Sequence, residues 1–182
     1  MERRNFLQKA LGSVLAIIQA SRLLGNSEAC TTGHDDEGPY FKAGAPFRKN
    51  IAVDYSGKDA ETLTLQGRVF GACDQLELEK AEIDLWHAHP SGDYDMDGFI
   101  CRGRQNSDGD GRYQFQTLMP ARYPGRPLHL HMKVTMPGYK TLTTQVYFAN
   151  DTQRKRDYLF RRNKGADRSI GTKKTRNLHK TA

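Results

Sequence analysis

No stretch of the 182 residues stays apolar over the roughly 20 positions that a membrane-spanning helix needs. Long runs of helical periodicity and internal repeats are missing as well, which argues against bundles and solenoids. There are only three cysteines, Cys30, Cys73 and Cys101, so at most one intramolecular bridge can form. In an oxidising compartment Cys73 and Cys101 could form it, and the sequence alone leaves that pairing open. The hydrophobic fraction, 37%, is low. The shortfall lies mostly at the C-terminus, and eight tyrosines, eight phenylalanines and one tryptophan still allow a modest core. Acidic residues are scarce in one place: Thr152 to Ala182 holds eleven Lys/Arg against two Asp/Glu. The net charge of +7 therefore belongs to a tail, while the rest of the chain is close to neutral. That tail has few aromatic side chains to stack on bases. It is expected to be solvated and partly disordered, with no nucleic-acid role.

What is present favours an all-β fold. Seventeen glycines and seven prolines separate short alternating runs. These runs are Thr62 to Phe70, Glu82 to His87, Arg112 to Leu118, Leu128 to Thr135 and Thr141 to Phe148. At least five short strands without long helices predict a sandwich of two sheets with long loops. Thr31 to Asn50 reads as an extended N-terminal arm. The expected organisation is a domain over residues 30–151 followed by the basic tail, 152–182.

The N-terminus carries Arg3-Arg4, then Phe6-Leu7, then a moderately apolar segment to Ala20. This pattern is expected to be a twin-arginine export signal over residues 1–29, placing the protein in the periplasm or at the outer side of a membrane. Cys30 is a candidate lipid anchor, although Ser27 and Glu28 make a poor lipidation context. A homo-oligomer is possible.

The stretch Tyr123 to His131 concentrates the chemistry. Leu128, Leu130, Met132 and Val134 alternate with His129, His131 and Lys133. On a strand, His129 and His131 project from one face, roughly 7 Å apart along the chain, so two imidazoles can converge on one metal ion. The pair alone leaves several readings open: polar-face histidines, zinc with a third histidine as in a hydrolase, or ferrous iron with a carboxylate. Tyr123 lies one short turn upstream, where Pro124-Gly125 can bend the chain back. Phenolate is a hard anionic donor and selects a hard, highly charged ion such as Fe(III).

Several runs together resemble the intradiol ring-cleavage dioxygenases. They are Asp84-Leu85-Trp86-His87-Ala88 with Gly92-Asp93-Tyr94; Arg102-Gly103-Arg104-Gln105 with Asp108 to Thr117; Tyr123 to His131; and Leu142 to Phe148. Glu37-Gly38-Pro39-Tyr40 is similar to that family's N-terminal motif. The motifs stand in the family's order over about residues 35 to 150. The resemblance implies a non-haem Fe(III) centre on Tyr94, Tyr123, His129 and His131, with Tyr123 and His129 axial. It implies that Arg126 stabilises charge on a catechol-type substrate, that Tyr123 acts as a base and that Gln145 lines the pocket. Gly38, Pro39 and Tyr40 would wall the substrate site, and O2 would be the second substrate. Trp86 and His87 read as scaffold. His89 departs from the family, which often has Asp or Asn there, and no helical dimerisation segment precedes the core. A binding module that keeps the motif without turnover is the alternative from another class.

Overall fold

Alternation in the sequence becomes two packed sheets. Among the described residues, β1 (Thr62–Arg68) pairs with β4 (Arg112–Leu118) in a two-stranded antiparallel sheet. The second sheet has the order β3-β2-β5-β6-β7. It is built from β2 (Glu82–Trp86), β3 (Arg102–Asn106), β5 (His129–Thr135), β6 (Leu142–Phe148) and β7 (Ser169–Ile170). Its pairs are antiparallel except β6 with β7, which is parallel. The computed structural model describes residues 32–171 apart from 58–59, 73–75 and 163–168. The expected export signal, Cys30, Cys73 and the outer parts of the basic tail lie outside the described residues.

The core sits between the sheets. Leu65 and Phe115 come from one side; Ile83, Leu85, Leu130, Met132 and Phe148 come from the other, with Ile51 from the arm. Full burial of such side chains contributes about 1.5–3 kcal/mol each. Strand pleating sends Asp84, Trp86, His129, His131, Gln145 and Tyr147 to the opposite face, and these are buried too. Both faces of the larger sheet are therefore covered, the outer one by the arm, the loops and the C-terminal segment.

One strand was not signalled by pattern, and one expectation is corrected. Arg102–Asn106 is a strand, although Arg-Gly-Arg-Gln-Asn has no apolar alternation. Its inward positions are Gly103, where a Cβ would lie 2.4 Å from Ile51 Cγ2, and Gln105, which accepts the Gln114 N–H at 3.1 Å. The arm protects this edge strand: the Arg104 N–H donates to Pro46 O and the Arg48 N–H to Arg104 O. The correction concerns the domain end. The fold continues past residue 151 through a 3₁₀ turn (Thr152–Arg156), a short helix α1 (Tyr158–Arg162) and β7. The tail's charge hides this, because Asp157 and Phe160, which dock at Arg126 and Tyr147, stand among basic residues.

Cys101 is fully buried, and burial pushes its thiol up to about 12.

Candidate active site

Cross-strand register builds the site. Trp86 faces His131, His131 faces Gln145, and His129 faces Tyr147, so four strands, counting Arg102 opposite Trp86, contribute one row each to the outer face. The His129 and His131 Nε2 atoms lie 3.2 Å apart. The His131 ring stacks on Trp86, 5.0 Å between centroids and 11° between planes. His129 Nδ1 lies 2.7 Å from Pro127 O, so this nitrogen carries the proton and Nε2 keeps its lone pair. His131 Nδ1 has no partner among the described residues.

Tyr94 enters from the loop between β2 and β3. Asp95 shapes that loop by accepting the N–H groups of Asp97, Gly98 and Ile100 at 3.1, 2.7 and 2.8 Å. Lys42 of the arm donates to three loop carbonyls, Met96 O, Asp97 O and Gly98 O. The buried Arg102 joins arm and loop, donating to Tyr40 O at 2.7 Å and Asp95 O at 2.9 Å. Tyr94 Oη thereby lies 3.2 Å from His131 Nε2 and 3.5 Å from His129 Nε2.

These three donor atoms, 3.2–3.5 Å from one another, have the spacing of neighbouring ligands on one ion with bonds of about 2.0–2.1 Å. Among the described residues no group of three His, Cys, Asp or Glu gathers. A third histidine or a carboxylate for the pair is thus missing there, and the oxygen that lies beside both imidazoles is Tyr94 Oη. Burial keeps both imidazoles neutral, pushing His129 down to about 4 and His131 well below its ordinary value. Burial also raises Tyr94, against the opposing pull of the Arg126 and Arg102 charges. Neutral imidazoles and a phenol that needs a cation to ionise fit a hard metal ion.

Tyr123 and Arg126 sit at the ends of one turn. The Arg126 N–H donates to Tyr123 O at 2.9 Å, and Gly125 has φ +78°, the left-handed value that a Pro-Gly type II turn requires. Tyr123 Oη hydrogen-bonds Tyr40 Oη. That bond raises the Tyr40 hydroxyl. Tyr40 also stacks on Tyr94, with centroids 4.4 Å apart and planes within 4°. Gly38, at φ +75°, passes close to the imidazole: a Cβ there would lie 3.7 Å from His131 Cε1. The Gly38-Pro39-Tyr40 arm therefore borders the candidate ligands. Gln145 is placed behind Arg126, accepting its Nη2–H at 2.7 Å while 1% exposed.

His87 stands apart. It bonds Ala88 O and Thr117 Oγ1, and burial pushes it down to about 4. This has a consequence for acid stability. Between about 6.5 and 4 the unfolded chain takes up a proton on His87 that the fold refuses, so stability falls as pH drops through that window. At pH 5 the loss is about 2 kcal/mol for His87, and His129 and His131 act in the same direction. Asp84 opposes them. Burial pushes it up to about 6, so the fold takes up its proton first, returning about 1 kcal/mol at pH 5. Urea unfolding of the metal-free protein is expected to show lower stability at pH 5 than at pH 7, and a larger drop in Asp84→Asn. A flat profile would contradict the neutral burial of these histidines.

Two residues of the site could not be found from motifs. Asp151 accepts from Arg122 Nη2 at 2.9 Å and from the Leu128 N–H at 2.8 Å, clamping both ends of the Tyr123 loop. Asp157 pairs with Arg126. Their only sequence signal is that they are lone acids flanking a run of basic residues.

Comparison with known proteins shows the family. The family model Dioxygenase_C, described as Dioxygenase, matches residues 36–177. The chain is 35% identical over 135 residues to chlorocatechol 1,2-dioxygenase of Cupriavidus pinatubonensis, covering 62% of this chain and 52% of that protein. It is 30% identical over 170 residues to catechol 1,2-dioxygenase 2 of Acinetobacter lwoffii, covering 80% and 62%. It thus spans little more than half the length of these relatives. Among solved structures, the dioxygenase domain of a dioxygenase carbohydrate-binding protein fusion from Streptomyces sp. SirexAA-E superposes with a TM-score of 0.65. That match has 40% identity and covers 71% of this chain and 82% of that one. The matched span holds every residue of the site described above, and the chain belongs to the intradiol ring-cleavage dioxygenase family.

Proposed function

We propose that the protein is a non-haem Fe(III) dioxygenase that cleaves a catechol-type ring between its two hydroxyl-bearing carbons. O2 is the co-substrate and a cis,cis-muconate-type diacid the product. The observation that carries this reading is the convergence of Tyr94 Oη, His129 Nε2 and His131 Nε2 within 3.5 Å, beside Tyr123. Tyr94, Tyr123, His129 and His131 would hold the ion. When bound, it supplies the Lewis acidity that favours the diol dianion and polarises it toward oxygen.

The chain's own residues do the rest. Tyr123, as phenolate, would take one catechol proton on Oη and leave as the neutral phenol. Tyr40 Oη shares a hydrogen bond with Tyr123 Oη and so holds it in place. Arg126 offsets the negative charge that develops on the substrate ring. Trp86 fixes the plane of His131, and Gly38 leaves room beside it. The Arg3-Arg4 segment supports export of the folded protein as part of the same reading.

Purified protein loaded with ferric iron is expected to be red from tyrosinate-to-metal charge transfer, and catechol added without oxygen should shift the band. Oxygen uptake with catechol, protocatechuate and hydroxyquinol then ranks the substrates. A protein that stays colourless after ferric loading would sink the proposal.

A further inference from the structure

We propose that Asp157, from the segment after the last long strand, is the residue that positions Arg126 for the reaction. The proposal rests on the ring-cleavage reading of the site. Arg126 leaves the Tyr123 turn with a long, freely rotating side chain, 25% exposed. A charge that must sit over a developing carbanion cannot wander, because misplacement by about 1 Å can cost on the order of 10²-fold in rate.

Asp157 supplies the constraint. Its Oδ2 accepts from Arg126 Nε at 2.6 Å and its Oδ1 from Nη2 at 3.4 Å, a two-point contact that sets the guanidinium plane. Gln145 Oε1 takes the same Nη2 at 2.7 Å, and Tyr147 Oη ties Gln145 Oε1 (2.8 Å) to Asp157 Oδ1 (3.2 Å). None of these bonds uses Nη1. Asp157 is itself held. It is 8% exposed, and it caps α1, accepting the Phe160 N–H on Oδ1 at 2.9 Å while its carbonyl accepts from the Arg161 N–H. Phe160 packs edge-on against Tyr147, with centroids 5.0 Å apart. The carboxylate is thus fixed to the sheet at one end and to the guanidinium at the other. Burial alone would raise this carboxyl, but Arg126 and the Phe160 N–H hold it below the usual range, so it stays charged.

The cap and the ion pair can be separated. Asn caps a helix as well as Asp does, yet it brings no charge to Arg126. In the iron-loaded full chain, Asp157→Asn is expected to lower kcat and kcat/KM for catechol together, by about 10²-fold. The visible spectrum and KM should stay at wild-type values, while the thermal midpoint falls because Arg126 loses its charge partner. The double variant Asp157→Asn/Arg126→Gln should be no slower than Arg126→Gln alone, since both changes remove one function. If Asp157→Asn does not fold, Asp157→Ser, which keeps a capping oxygen, takes its place. A wild-type kcat in the single variant, or additive losses in the double, overturns the proposal. A second readout needs no turnover: the Arg126 Nε–H signal in ¹⁵N NMR of the metal-free chain, assigned by its loss in Arg126→Gln. It should be protected from exchange in the wild type and lose that protection in Asp157→Asn; equal protection in both overturns the positioning role. If the wild-type chain cleaves no diol at all, the functional reading fails, while the NMR comparison still decides whether Asp157 fixes Arg126.

Discussion

Removal of residues 152–182 is expected to abolish ring cleavage and to lower the thermal midpoint. The charge pattern suggests the reverse, a dispensable basic tail. The contacts decide the matter. Truncation deletes Asp157, the ion-pair partner of Arg126, and Phe160, which packs on Tyr147 next to Gln145. It also deletes β7, which pairs with β6 at Tyr147 and Phe148, and Gln153, whose N–H bonds Asp151 at 3.0 Å. Loss of one partner of a largely buried pair costs about 3 kcal/mol. In a chain of this length that lowers the midpoint by about 6–12 °C. Calorimetry and oxygen uptake on the truncated and full chains test this. Turnover at the full-length rate would show that the segment is peripheral after all.

Tyr123→Phe is expected to slow turnover by about 10²- to 10⁴-fold, the range associated with losing a positioned base. The change deletes one oxygen and keeps the ring, which lies 5.2 Å from Tyr40 and 6.0 Å from Tyr94 by centroid. Packing is preserved, so the loss reads on proton transfer. Part of the visible band should vanish and the Tyr94 part persist. Stopped-flow mixing with catechol in the absence of oxygen should show the binding step slowed. An unchanged spectrum and an unchanged rate would remove Tyr123 from the ligand set.

Much of the sandwich was legible because core-facing residues alternate. Leu130 and Met132 turn inward from β5, and that leaves His129 and His131 no choice but the other face. The turn at Pro124-Gly125 was legible for a similar reason, since few residues other than Gly accept its backbone conformation. β3 was not. Its burial comes from a missing side chain at Gly103 and from arginines satisfied by backbone carbonyls, neither of which leaves a hydrophobic period. Asp157 was hidden by its neighbours. A single carboxylate among Arg154, Lys155, Arg156 and Arg161 looks like a counterion on a solvated surface. Only the return of that segment to the sheet shows that its partner is Arg126. The placement of Tyr94 was likewise invisible to periodicity, because the loop is shaped by Asp95, Lys42 and Arg102 rather than by apolar pattern.

The arm that borders the site touches it across great distances in the chain. Tyr40 meets Tyr123 over 83 residues, Glu37 meets Lys133 over 96, and Thr144 meets Gly33 over 111. Contacts of such high order close large loops, and the entropy of closure is spent before they return any stabilisation. The hairpin-like pairs β2–β3 and β5–β6 are local by comparison and can form first. The arm is therefore the element that a folding chain secures late and a partly opened chain releases early. In this protein the competence of the centre is a property of the last closure, and it can be lost while most of the sandwich stands.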